Sequence, residues 1–161
     1  MVGPIPVVRF LWSFHSIHHS SKALDWIAGS RTHFIDLVVG RGFILLPLEF
    51  FGFAHSVVLA YLAFVTIHAT WTHCNSALHV KWLEPILVMP RHHHWHHAAE
   101  EAAIDKNFAI HFPWLDKVFG TSYDPGRWPT GYGLVHTQLP GTFWKQFFLP
   151  FKPSGVKSSA D

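Results

Sequence analysis

The sequence predicts an all-α chain: an integral-membrane helical hairpin, a histidine-rich helical metal-binding cap on its cytosolic side, and an irregular Gly/Pro-rich C-terminus. Three observations carry that prediction. No Asp, Glu, Lys or Arg occurs between Phe50 and Val80, two copies of H-x-x-H-H flank the apolar region, and beyond Phe119 the chain turns to Gly and Pro (GTSYDPGRWPTGYG). Hydrophobic residues make up 49% of the 161 positions and charged residues 14%, where a typical soluble domain carries about 25% charge. That length holds one ordinary domain, read as 1–161.

The N-terminus places Arg9 ahead of aromatic and histidine residues, unlike a secretory leader with its short apolar run and small-residue cleavage site. Phe34 to Leu48 is apolar apart from Asp36 and Arg41, and Pro47 and Gly52, either side of Glu49, offer a point of reversal. Phe50 to Ile67 is long enough, at ~1.5 Å per residue, to cross most of a ~30 Å hydrocarbon core and is expected to be a transmembrane helix. Together these segments predict a membrane hairpin over 33–74. A hairpin crosses an even number of times, so the histidine groups at 15–19 and 92–97 fall on one face of the bilayer. All basic residues except Arg41 lie outside it, which puts that face in the cytoplasm, at a bacterial inner membrane or a eukaryotic endoplasmic reticulum. The aromatic stretch PGTFWKQFFLPFK reads as one interfacial segment, and 150–161 as a polar tail.

Several chemistries are excluded. One cysteine, Cys74, rules out a disulfide framework and cysteine-rich zinc modules. A net charge of +2 with scattered basic residues gives no nucleic-acid surface. The sequence contains no G-x-S-x-G, P-loop, G-x-G-x-x-G, H-E-x-x-H, C-x-x-C or Glu-x-x-His. Imidazole is the abundant metal donor, with 15 histidines.

His15, His18 and His19 are spaced i, i+3, i+4, and His93, His96 and His97 repeat the spacing, so each triplet projects from one helical face. Within HHHWHH the pair His92 and His96 is also one turn apart, so spacing alone leaves the choice open. Repetition of the first triplet favours His93, with His92 and His94 supporting it or facing solvent. His68 and His73, at the end of the apolar run, are functional candidates because ionisable groups there are costly. His33, His55, His79, His111 and His136 are isolated and read as structural. Seven or eight imidazoles exceed the needs of one tetrahedral zinc and suit two neighbouring metals with open positions.

In LWSFHSIHHSS, IHATWTHCN, MPRHHHWHHA and DKNFAIHFPWLDKVFGT, in that order from about Arg9 to Pro129, the chain resembles the membrane fatty acid hydroxylase and sterol desaturase superfamily of histidine-coordinated di-iron oxygenases. The last block is similar to that family's Asn-Tyr-Gly stretch and its Trp-Asp-x-x-Phe-Gly-Thr ending, so 91–121 reads as the second histidine box and C-terminal motif. The resemblance implies His15, His18, His19, His73, His93, His96 and His97 as iron ligands, His68 as an additional one, and Asn107 and Asp116 as residues that shape the site. It further implies non-haem di-iron, O2 as co-substrate, and a membrane lipid (fatty acyl, sterol or related) that is hydroxylated or desaturated. An external cytochrome b5-type, ferredoxin or reductase donor would supply electrons.

One departure stands out. The family's earlier H-R-x-x-H pair would fall near Val2 and Pro6, and residues 1–8 do not match it. The expectation is an N-terminally truncated product lacking two ligands, whose activity as written is open. The competing reading is a non-catalytic metal-binding membrane protein, either zinc-handling or a degenerate oxygenase.

Overall fold

The computed structural model describes residues 6–78, 80–135 and 137–152. Their regular elements are helices: α1 (Pro6–His19), α2 (Phe34–Phe50), α3 (His55–His73), α4 (Pro90–His96), α5 (Trp114–Val118) and α6 (Phe143–Phe147), with single 3-10 turns at Ala28–Ser30, Glu101–Ala103 and Leu149–Phe151. No strand forms among the described residues, where one isolated bridge joins Ala98 to Tyr132. Val2, His79, His136 and the tail 153–161 lie outside them.

α2 and α3 form the expected helical hairpin, but its turn is displaced. Pro47 sits inside α2, which runs on to Phe50, and the reversal falls at 51–54, where Gly52 adopts a φ of +72° that costs glycine nothing. The expected single helix from Phe50 to Ile67 is therefore broken at its start, and α3 begins at His55. No helix among the described residues is long and apolar enough to cross a membrane. The reason lies in length and polarity: α2 has 17 residues and carries Asp36, Arg41 and Glu49, and the last turns of α3 carry His68, Thr70, Thr72 and His73. Yet α2 buries none of its residues, and Phe43, Leu46, Phe50 and Phe51 stand largely exposed.

Two packing arrangements deliver the histidines. The turn Ala28–Ser30 wedges between α1 and α3, close enough that a Cβ on Gly29 would sit 3.2 Å from Cγ and Nδ1 of the His73 ring. α4 is anchored by Trp95, which is fully buried against Ala98, Ala103 and Tyr123 and donates its indole N–H to the Arg127 carbonyl at 2.8 Å. The Arg127 guanidinium stacks 4.9 Å above the same ring and pairs with Glu100 at 2.6 Å. So the Gly/Pro-rich segment, irregular as expected, is a strap around α4.

The aromatic C-terminal stretch returns to α1 and α2. Phe151 packs edge-on against Phe14, His33 Nε2–H donates to the Phe147 carbonyl, and Arg31 donates to Gln146. Phe143, Trp144, Phe148 and Phe151 remain exposed. Pro150, expected to open the polar tail, is instead buried within the turn Leu149–Phe151.

Candidate metal centre

The C-terminal ends of α1 and α3 meet α4, and seven imidazoles converge there in two adjoining groups. His18, His73, His93 and His97 form one and His15, His19 and His96 the other, each with its ligand nitrogens within 4.8 Å of one another. Each sequence triplet is thus split between the groups. The i, i+4 pairs His15/His19 and His93/His97 stay together, while the intervening His18 and His96 cross to the opposite group. The groups touch through stacked rings of His19 and His97, with centroids 4.2 Å apart.

Hydrogen bonds to backbone carbonyls fix which nitrogen three of the rings offer. His18 Nδ1 faces the Arg31 carbonyl at 3.1 Å, His73 Nδ1 the Ala69 carbonyl at 2.6 Å, and His96 Nδ1 the Lys106 carbonyl at 3.0 Å. A carbonyl only accepts, so these Nδ1 atoms carry the protons and Nε2 keeps a lone pair. The Nε2 atoms of His18 and His73 nonetheless face each other at 3.1 Å. Two acceptors cannot bond one another, and protonating a ring is disfavoured: burial, then the neighbouring imidazoles, pull His18 down to about 3. Burial holds His96 down to about 4, and burial followed by crowding among the rings sets His19, His93 and His97 well below the ordinary value. A cation shared by the two rings would resolve the conflict. Two nitrogens held ~2.1 Å from one ion lie about 2.9–3.4 Å apart for angles between square and tetrahedral, and the His73–His93 and His93–His97 Nε2 contacts are likewise 3.1 Å.

Asn107 and Asp116 lie outside both groups and build the frame of α4. Asn107, nearly fully buried with a φ of 55°, donates to the His92 and Tyr123 carbonyls and accepts from the Tyr123 N–H. Asp116 accepts from the Phe108 and Ala109 N–H groups, the Thr121 hydroxyl and His92 Nε2. This turns His92 away from the metal groups and brings the Lys106 carbonyl under His96.

His68 is not brought into either group. Its Nε2–H donates to the Val88 carbonyl at 2.9 Å, and its Nδ1 accepts from His111 Nδ1–H, whose Nε2 accepts in turn from the Tyr61 hydroxyl. Each ring in that chain is satisfied as a neutral donor-acceptor.

The sequence reading left His94 as either a supporting or a solvent-facing residue and assigned no role to Asp36. His94 is 0% exposed, with Nε2–H donating to the Cys74 carbonyl and Nδ1 accepting from the Tyr132 hydroxyl. Nothing in its spacing distinguishes it. Asp36 accepts from His15 Nδ1–H at 3.0 Å and from the Thr32 hydroxyl at 2.8 Å. A carboxylate one turn into an apolar helix was the available signal.

The chain is similar to several known proteins. The chain is 32% identical over 148 residues to an ornithine lipid hydroxylase of Rhizobium tropici, covering 91% of this chain and 44% of that protein. It is 32% identical over 129 residues to the alkylglycerol monooxygenase of Homo sapiens (80% of this chain, 28% of that one). Identity is also 32% over 142 residues to the alkylglycerol monooxygenase of Danio rerio (88% and 31%). The chain thus spans less than half the length of these relatives. No solved structure matches it. The fatty acid hydroxylase profile matches residues 6–121, a stretch that takes in every one of the seven converging imidazoles, and the chain belongs to the fatty acid hydroxylase family.

Proposed function

We propose that the chain is an O2-dependent, non-haem di-iron oxidoreductase that hydroxylates or desaturates a membrane lipid. The observation that carries this reading is the pair of Nε2 lone pairs on His18 and His73 meeting at 3.1 Å beside a second, three-histidine group. That arrangement suits two cations held almost entirely by neutral nitrogen. Imidazole also accepts zinc, copper or nickel. Iron is favoured by the family, and the lipid by relatives named for an ornithine lipid and for alkylglycerols.

His18, His73, His93 and His97 would hold one ion and His15, His19 and His96 the other. Bound iron supplies the activation of O2 and removal of hydrogen from an unactivated C–H bond. The chain does the rest. Backbone carbonyls of Ala69, Arg31 and Lys106 keep the ligating rings in the Nδ1–H tautomer and aim them inward. Trp12 lies 5.2 Å from His19 and Phe108 5.9 Å from His96, ring to ring, so apolar walls flank the three-histidine group where an alkyl chain would be oriented. No amino-acid nucleophile or general base is required, and electrons would come from a separate cytochrome b5-type protein, ferredoxin or reductase.

In this reading the α2–α3 hairpin sits in the bilayer, tip first. Its exposed phenylalanines and leucines would cost about 25 cal/mol per Å² in water and nothing in lipid. Because the chain enters and returns, both histidine-bearing ends remain on one face, the cytoplasmic one, of a bacterial inner membrane or an endoplasmic reticulum. Phe143, Trp144 and Phe148, exposed on the C-terminal segment, suit the headgroup boundary.

Metal content decides the matter. Protein purified in detergent is expected to hold two irons per chain and, given reductant and O2, to oxidise an added lipid. One zinc per chain, or no metal, points instead to the non-catalytic metal-binding protein.

A further inference from the structure

The two histidine groups are not equivalent. In the four-histidine group His18, His73 and His97 are buried, and the Nδ1 atoms of His18 and His73 lean on neutral carbonyls. The three-histidine group is more open, with the His15 side chain 38% exposed, and His15 leans on a carboxylate, Asp36 Oδ2, at 3.0 Å. The Thr32 hydroxyl, one turn before Asp36, donates to that same oxygen and fixes the carboxylate toward the ring.

We propose that Asp36 is a positioning and charge-balancing residue for the three-histidine group, and that through His15 it sets the affinity for the second metal ion alone. The proposal rests on the two-ion reading above. The physical case has two parts. A carboxylate accepting from Nδ1–H pushes electron density into the imidazole and makes Nε2 a stronger donor than one backed by a carbonyl. Three neutral ligands also give the second dication little to offset repulsion from the first, whose ligand rings lie in contact with its own. Asp36 places a negative charge beside the group that needs it, while the neutral carbonyls of Arg31 and Ala69 position His18 and His73 of the four-histidine group.

The test is a cobalt(II) titration of metal-stripped protein in detergent, followed by calorimetry and by the visible d–d spectrum. Asp36→Asn keeps the shape and an acceptor oxygen but removes the charge. The wild type is expected to bind two ions, and D36N to bind the second about 10–100-fold more weakly, with the first within about threefold and only the second ion's spectrum shifted. Equal weakening of both ions in D36N, or unchanged affinity for both, overturns the inference. Should D36N fail to fold by circular dichroism, Thr32→Val provides the milder case: selective weakening of the second ion supports the proposal, and its absence refutes it. Wild-type protein that takes up fewer than two ions overturns the two-ion reading and this inference with it; two ions in the wild type and no selective effect in the variants overturn the inference alone.

Discussion

The Nε2 atom of His94 stands 3.1 Å from the carbonyl oxygen of Cys74, the residue that follows His73 at the end of α3. A fully buried imidazole outside both histidine groups therefore holds the extended exit of α3 beside His73, which is inside one. Its other nitrogen accepts from the Tyr132 hydroxyl, so the same ring also fastens the Gly/Pro-rich strap. Replacing His94 by Ala leaves a cavity and strips partners from a carbonyl and a hydroxyl. The expected loss of stability is about 2–4 kcal/mol, read by thermal or denaturant unfolding. Tyr132→Phe, which orphans only one nitrogen, should cost about 1–3 kcal/mol. A neutral result for both would remove the strut from this account.

His73 and His68, five residues apart on α3, are expected to behave differently. His73→Ala removes a proposed ligand and should lower bound metal below two ions per chain. His68→Ala breaks the hydrogen-bond chain from Tyr61 through His111 to Val88 and should cost about 1–3 kcal/mol while metal stoichiometry stays at two. Elemental analysis of the two purified variants separates the roles, and loss of an ion in H68A would make His68 a ligand after all.

Gly29→Ala tests the wedge. The added methyl would lie 3.2 Å from the His73 ring, which is held at its Nδ1 by the Ala69 carbonyl and cannot retreat without losing a 2.6 Å hydrogen bond. The expectation is a loss of about 1–3 kcal/mol together with weaker metal binding. The measurement is unfolding of the variant with and without added metal, since a purely local strain would lower both curves equally.

Acid should unfold the metal-free protein through its histidines. Burial keeps the imidazoles of His18 and His96 neutral down to about 3 and about 4, whereas in the unfolded chain they take up protons near 6.5. Between those values the unfolded state binds more protons, so stability is complete above about 6.5 and falls as pH drops. The slope approaches about 1.4 kcal/mol per pH unit for each such ring. Unfolding curves from pH 8 to pH 4 check the sign, and stability that rises on acidification contradicts it. Added metal should shift the curve toward acid, because an ion bound only by the folded state stabilises it by about 2.7 kcal/mol at a hundredfold excess over Kd; a chelator should reverse the shift.

Much of this was legible in the sequence because helical periodicity is a local property. The repeated i, i+3, i+4 spacing marked six of the seven converging residues, His73 was marked by its place at the end of the apolar run, and the charge-free stretch marked α3. What the spacing could not convey is that His18 and His96 cross between groups, since that depends on how α1, α3 and α4 are rotated against one another. The turn was misplaced because Pro47 reads as a breaker, yet a helix near its end tolerates it. The choice between support and solvent for His94, and the role of Asp36, stayed hidden for a related reason. Their partners, Tyr132 and His15, are distant along the chain, and no pattern within a helix announces a hydrogen bond made across elements.

The interleaving of the two groups also has a consequence for biosynthesis. His15, His18 and His19 leave the ribosome ahead of α4, but each group takes a ring from the second triplet, so the three-histidine group cannot close until His96 has emerged, nor the four-histidine group until His97. At about 5–20 residues per second the nascent chain carries a vacant chelating face for several seconds, open to whichever ion is most abundant. Under the two-ion reading, correct loading would then require release and exchange once α4 docks, and the order of synthesis would be part of how the metal is chosen.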